Sequence, residues 1–359
     1  MVRLIVDTPG GTYPVHIGAG AMKVLKPTLA RLEPTSVVIV TDTNVRPWAR
    51  LVAKTLKSAR VRPVTYVVPA SERSKSLSAL GGLLAFMERS RIDRGGVVIA
   101  VGGGMVGDLA GLAAATWLRG VRLVAVPTTL LAMVDSSIGG KTGVNGSRMK
   151  NAIGTFWQPS AVVADIECLS TLPRARYREA FAEVVKYAVA MDRGLFEVLR
   201  KDTSRLLALD AGALEPVIMS CATAKALVVA RDERDHGPRA ILNYGHTAAH
   251  AVEAASHFRV SHGRAVAFGM RVAARISQSL DLCTERLVEQ QDELLTAYGL
   301  PDVSPRVPVE RVLATIPTDK KALRGRVAWV LPRRIGFAEI GHEVPPGLVR
   351  RVVRKALAG

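Results

Sequence analysis

Two histidines stand four residues apart in Asn243-Tyr244-Gly245-His246-Thr247-Ala248-Ala249-His250, which places both imidazoles on one face of a helix. A third follows in Ser261-His262-Gly263, and a carboxylate lies upstream in Ala182-Glu183-Val184-Val185-Lys186. Two imidazoles and one carboxylate, with positions left for water and substrate, make a zinc-type Lewis-acid site. Spacing alone leaves open whether His246 and His250 both ligate, and it does not bring Glu183 to them. An isolated His pair is more often packing than chemistry.

A second chemistry is written in glycine. Gly102-Gly103-Gly104-Met105-Val106-Gly107-Asp108 follows a β-branched run and opens an apolar helix-like stretch. Such a turn admits a pyrophosphate to the backbone and to the positive end of a helix, although it departs from the usual G-x-G-x-x-G spacing. Asp42 and Asn44 close another strand, where they hold a ribose or simply cap a helix. The stretch 126–151, VPTTLLAMVDSSIGGKTGVNGSRMKN, gathers hydroxyls, amides, Lys141, Lys150 and Asn151 around several glycines. It reads as a loop for anionic oxygens and lacks the spacing of a P-loop.

These residues need elements to hold them. Over the first ~165 residues, β-branched runs (Val37–Thr41, Val64–Val68, Val97–Val101, Leu123–Val126) alternate with helical patterns and end in small or polar residues. That predicts a Rossmann-like parallel sheet with ligands at its carboxyl edge. After Pro173 the chain turns Ala/Leu/Glu/Arg-rich, and helices are expected over Arg174–Arg200, Ala211–Arg231, Thr247–His257, Gly263–Leu280 and Cys283–Ala297. A late strand pair is expected at Val327–Leu331 and Phe337–Ile340. The expectation is an α/β nucleotide-binding domain over 1–170 and a mainly α-helical metal- and substrate-binding domain over 171–359.

With 359 residues, 48% hydrophobic and 22% charged, the chain has the balance of a soluble two-domain protein. No run reaches the ~18 uninterrupted apolar residues of a membrane span, and the opening residues lack the pattern of a signal peptide. Three widely spaced cysteines form no C-x-x-C pair, which fits a reducing cytoplasm and inert thiols. The net charge of +18 raises nucleic acid as a partner. The basic residues are nevertheless scattered, with no zinc-finger or RNP-like motif, so a small polyanion is the expected ligand.

Long motifs then carry a resemblance. AVGGGMVGDLAG, VPTTLLAMVDSSIGGKTGVN, KNAIGTFWQP, FAEVVKY, RDERDHGPRAILNYGHTAAHAVEA, HGRAVAFGM and TDKKALRGRVAWVLPRRIG occur in order over nearly the whole chain. Together they resemble the 3-dehydroquinate synthases. The resemblance implies NAD+ binding by Asp42, Asn44, Glu72, Lys75, Gly103, Gly104, Asp108, Thr128, Thr129, Asp135 and Lys150. It implies a divalent metal, zinc or cobalt, on Glu183, His246 and His262, with His250 turned to substrate. The substrate set it implies is Arg119, Asp135, Lys141, Asn151, Lys186, Lys225, Arg239, Asn243, His250 and one of Lys320 and Lys321. A homodimer is expected, with Arg119 reaching across its interface. A substrate bearing phosphate and carboxylate suits so many Lys and Arg.

The chain departs from the family pattern in Pro69-Ala70-Ser71-Glu72, at Ala249, and in His262-Gly263-Arg264, where an acidic residue often follows His-Gly. An arginine there removes an acid from beside a metal ligand unless another supplies it. Competing readings are a cyclase making an aminated or valiolone-type ring, a polyol dehydrogenase of similar fold, and a binding protein that keeps the pocket.

Overall fold

A computed structural model describes residues 1–56, 61–147, 149–301, 306–316 and 327–358. The chain resolves into two compact units. The first comprises Met1–Leu172 and Leu214–Arg234; the second comprises Pro173–Ala213 and Asp235–Gly359.

Among its described residues, the first unit is built on a seven-stranded sheet. Its strands are β1 (Val2–Thr8), β2 (Gly11–Gly18), β3 (Val37–Asp42), β4 (Val64–Val68), β5 (Val97–Gly102), β6 (Arg122–Pro127) and β9 (Ala161–Asp165), in the order β1-β2-β9-β6-β5-β3-β4. Only β1 and β2 pair antiparallel, as a hairpin; every other neighbour is parallel. Strands β3, β5 and β9 are buried along their whole length, which explains their continuous Val/Ile runs. Helix Gly104–Thr116 packs its apolar surface against β5 and β6, with Val106, Leu109, Ala110 and Ala113 buried.

Two features were not legible in the polar stretch after β6. A π-helical turn, Ala132–Ser136, presents Asp135, and a short antiparallel hairpin pairs β7 (Lys141–Val144) with β8 (Ile153–Phe156). Helix Ala211–Arg231 lies where the sequence places it, and its residues from Leu214 onward belong to this first unit. By length and composition it is apolar enough to cross a membrane. Yet 56% of its apolar window is buried, and Lys225 within it donates to Asp135.

The second unit is mainly helical. The helix expected over Arg174–Arg200 is two helices, Arg174–Ala190 and Arg193–Lys201. The break falls where the Asp192 carboxylate accepts from the Leu195 amide and starts a new helix. Arg174–Ala190 is buried over most of its second half. Against it lies helix His262–Ser279, which also packs on helix His246–Ala255. Two glycines permit those approaches. A Cβ at Gly263 would overlap the Glu179 carbonyl, and one at Gly269 would overlap the Gly245 carbonyl. The late strand pair is present as β10 (Ala328–Arg334) and β11 (Phe337–Glu343), antiparallel with two bulges. A helix that the sequence reading did not single out, Pro346–Ala358, follows.

Candidate active site

The second unit brings Glu183, His246 and His262 together. Glu183 lies on helix Arg174–Ala190 and is 1% exposed; His246 and His262 open the two helices named after them. Nε2 of His246 and Nε2 of His262 each lie 3.3 Å from Oε1 of Glu183. One ligating atom from each residue falls within 4.8 Å of the others. Both buried Glu183 oxygens lack a regular hydrogen bond, and they face the two imidazoles and the Lys186 ammonium, which pairs with Oε2.

The outer ring nitrogens are held as well. Nδ1 of His246 lies 3.2 Å from the Tyr244 carbonyl, which accepts its proton and leaves the Nε2 lone pair facing Glu183. Tyr244 is itself fixed, its buried hydroxyl donating 2.5 Å to Gln291 Oε1. Nδ1 of His262 lies 3.7 Å from Oε1 of Glu253, a buried acid that the sequence reading missed. Its signal was a glutamate on the same helical turn as His250, on a helix otherwise rich in alanine.

The charges are strongly coupled. Burial works to raise the Glu183 carboxyl, but Lys186, His246 and His262 outweigh it and hold it well below the usual carboxylate range. Burial keeps the His246 pKa low against the pull of Glu183, so its imidazole is neutral. At His262 burial is overcome by Glu183 and Glu253, and the pKa is pushed up to about 10. Once a cation takes the place of the His262 proton, two half-buried Nε2 atoms and the buried Glu183 oxygen converge as a fitting donor set for a divalent cation of the zinc type.

His250 stands beside this group rather than in it. Its ring meets His246 edge-on, centroids 5.5 Å apart. Lys186 is 2% exposed and Arg239 also 2%, the latter in the turn Pro238–Asn243 that carries half-buried Asn243.

In the first unit the expected nucleotide residues gather at the carboxyl ends of the parallel strands. Gly103 precedes helix Gly104–Thr116, and Thr128 N donates 3.0 Å to the Gly102 carbonyl. A pocket there is lined by Gly102, Gly103, Gly107, Ser136, Ser137 and Lys141. Oγ1 of Thr128 is buried without a hydrogen-bond partner among the described residues, a polar atom suited to a bound ligand. Thr129 Oγ1 accepts from Ala132 N. Asp42 caps: its Oδ1 accepts from the amides of Asn44 (2.8 Å) and Val45 (3.3 Å).

Lys75 pairs with Asp108 in a buried contact. Burial raises the Asp108 carboxyl more than Lys75 lowers it. Glu72 accepts from Asn145 Nδ2 at 3.0 Å, and Asn145 Oδ1 accepts from Asn151 N at 2.9 Å. Asn145 thus ties Glu72, expected at the nucleotide, to Asn151, expected at the substrate; within Thr-Gly-Val-Asn its sequence position signals only a polar loop. Lys225 Nζ donates to Asp135 Oδ1 at 2.8 Å.

Lys141 and Asn151 are exposed and Lys150 is half-buried. Arg119 is exposed too, in a turn where Leu118 (φ 49°) and Arg119 (φ 68°) both take left-handed backbone. Lys320 and Lys321 lie outside the described residues.

The departures resolve differently. Ala249 is fully buried where the two histidine helices meet. Ser71 caps its turn by accepting from Arg73 N. The Arg264 side chain is 72% exposed and its Nε lies 3.6 Å from Glu179 Oε1, so it forms a surface pair.

Fold and donor set together define a class, the sugar phosphate cyclases. A 2-deoxy-scyllo-inosose synthase complexed with carbaglucose-6-phosphate, NAD+ and Co2+ superposes with a TM-score of 0.91 at 25% identity, over 99% of both chains. The 2-epi-5-epi-valiolone synthase of Streptomyces hygroscopicus subsp. jinggangensis, with NAD+ and Zn2+ bound, gives 0.88 at 26% identity, over 100% of this chain and 99% of that one. Within the class the sequence is specific. Residues 65–179 match the model of the 3-dehydroquinate synthase N-terminal region and residues 180–322 that of its C-terminal region. The 3-dehydroquinate synthase of Acidithiobacillus ferrooxidans is 43% identical over 356 residues, 99% of this chain and 98% of that protein. The chain belongs to the 3-dehydroquinate synthase family.

Proposed function

We propose that the protein converts 3-deoxy-arabino-heptulosonate 7-phosphate to 3-dehydroquinate and inorganic phosphate, a carbon–oxygen lyase reaction that feeds aromatic amino-acid synthesis. The observation that carries this reading is the converging Glu183, His246 and His262 set with Lys186 packed on its carboxylate, in a chain of this family.

When bound, NAD+ supplies a transient hydride acceptor and the divalent cation supplies Lewis-acid polarisation of the hydroxyl being oxidised. Glu183, His246 and His262 would hold the cation. Gly103, Gly104 and the start of helix Gly104–Thr116 would receive the pyrophosphate, with Asp42, Asn44, Glu72, Lys75, Asp108, Thr128, Thr129, Asp135 and Lys150 completing the nucleotide set. Lys141, Asn151, Lys186, Lys225, Arg239, Asn243, His250 and one of Lys320 and Lys321 would bind the phosphate and carboxylate and pass protons.

The order of events follows from acidity. Oxidising the ring carbon to a ketone acidifies the neighbouring C–H, and the electron pair left there expels phosphate, whose own oxygen takes the proton. The hydride then returns, so no net redox occurs; the ring opens and an aldol closure makes the carbocycle. Arg119, exposed on a strained turn, would serve a neighbouring copy in a homodimer, and the cytoplasm is the proposed compartment.

Substrate choice separates this reading from the other cyclases. We expect phosphate release from the heptulosonate 7-phosphate, and at most about a hundredth of that rate from a ketoheptose phosphate lacking the carboxylate. A preference for the carboxylate-free sugar would overturn the assignment.

A further inference from the structure

The two histidines of the proposed metal set present the same ring nitrogen inward. Nε2 of each lies 3.3 Å from Glu183 Oε1, and to ligate a cation there each ring, when neutral, must carry its proton on Nδ1. A backbone carbonyl fixes that tautomer at His246, since the Tyr244 oxygen lies 3.2 Å from Nδ1. His262 lacks an equivalent carbonyl contact among those described. It is the first residue of its helix, preceded by Ser261 in extended backbone. What stands at its Nδ1 is Glu253 Oε1, 3.7 Å away and 5% exposed.

Glu253 is well placed to act on that ring. It sits on helix His246–Ala255, two turns beyond His246, while His262 opens the next helix. The connection between them is anchored close by. The Glu253 carbonyl accepts from the Ser256 hydroxyl and the Phe258 amide, and Ser256 Oγ accepts from Val260 N. The acid that would adjoin His262 in sequence is instead Arg264, whose side chain is turned to the surface and pairs with Glu179. The carboxylate at the metal set's outer edge therefore comes from the preceding helix.

We propose that Glu253 is a positioning residue. Its carboxylate accepts the Nδ1 proton of His262, locks the tautomer that leaves Nε2 free to ligate, and makes that nitrogen a better donor. This rests on the metal assignment made above. The role is distinct from ligation, because Glu253 faces the far side of the ring from Glu183.

The test compares the full-length protein with Glu253→Gln and Glu253→Ala. Zinc and cobalt affinities are measured by chelator competition, NAD+ affinity by calorimetry, and imidazole tautomers in 15N-histidine-labelled protein. The alanine variant is expected to bind metal roughly 10–100-fold more weakly, and the glutamine variant, which keeps an acceptor oxygen, roughly 3–10-fold more weakly. NAD+ affinity should be unchanged in both, and only the alanine variant should show His262 protonated on Nε2. Alanine and parent proteins with the same metal affinity and the same tautomers would overturn the proposal while leaving the metal assignment intact. A parent protein that binds neither metal would remove both. If the alanine variant does not fold, glutamine against parent decides: equal affinity overturns the role.

Discussion

Lys225 Nζ donates 2.8 Å to the carboxylate of Asp135, 90 residues earlier, and its ammonium also reaches the Asp135 backbone carbonyl. One side chain thereby ties helix Ala211–Arg231 to the π-helical turn that follows β6. The Lys225 side chain is 6% exposed and that of Asp135 28%, so the pair is mostly desolvated. Lys225→Met should lower stability by about 2 kcal/mol, the range for a hydrogen bond to a charged group. Turnover should fall about 100-fold or more if the ammonium also meets developing negative charge on the substrate. Chemical denaturation and steady-state kinetics on one preparation check both; an active, equally stable variant contradicts the role.

Lys186 offsets a carboxylate that is buried with it. Removing the ammonium takes away the leading charge that holds Glu183 ionised and leaves it only the two histidine rings. Lys186→Met should therefore destabilise the metal-free protein by roughly 3–5 kcal/mol. Added zinc should recover much of that loss, because a dication on Glu183 replaces the missing charge. Thermal melts with and without zinc measure this, and a variant with no deficit in the absence of metal would show that Lys186 is not the balancing charge.

The ligand set makes a plain prediction. His246→Ala, His262→Ala and Glu183→Gln should each weaken metal binding by about 100-fold or more, since three protein ligands leave none to spare. Turnover should be lost with the metal. His250→Ala should lose turnover and keep metal, its ring standing beside the set rather than on Glu183. Metal content of the purified variants distinguishes them; a His262→Ala protein with full occupancy rejects the assignment.

Arg119 occupies left-handed backbone next to Leu118, which does the same. Arg119→Gly relieves that conformation, so stability should hold or rise by up to ~1 kcal/mol. The substrate KM should rise and metal affinity should stay constant. A variant that is less stable yet fully active would show that the turn is structural only.

Much of this was legible in the sequence, and the reasons are physical. Strands β3, β5 and β6 are buried on both faces over nearly their whole length, so they appear as near-continuous apolar runs, and their polar ends mark the carboxyl edge of the sheet. The helix containing His246 and His250 was equally plain. Its choice of ligand was not, because i and i+4 spacing gives both rings the same face. What separates them is the packing of Gly263 on Glu179 and of Gly269 on Gly245, which brings His262 and Glu183 to His246. The contacts of Asn145 and Glu253 likewise depend on backbone paths that local patterns do not encode. The hairpin of β7 and β8 was hidden because glycine-rich strands lack an alternating apolar face.

The proposed oxidation is reversed within each turnover and depends on a metal held by Glu183, His246 and His262. The most direct measurement follows phosphate release from 3-deoxy-arabino-heptulosonate 7-phosphate with NAD+ and zinc or cobalt, while recording NADH absorbance. We predict stoichiometric phosphate without lasting NADH, abolished by a chelator and restored by the metal. NADH accumulating with turnover, or phosphate release indifferent to the chelator, would contradict it.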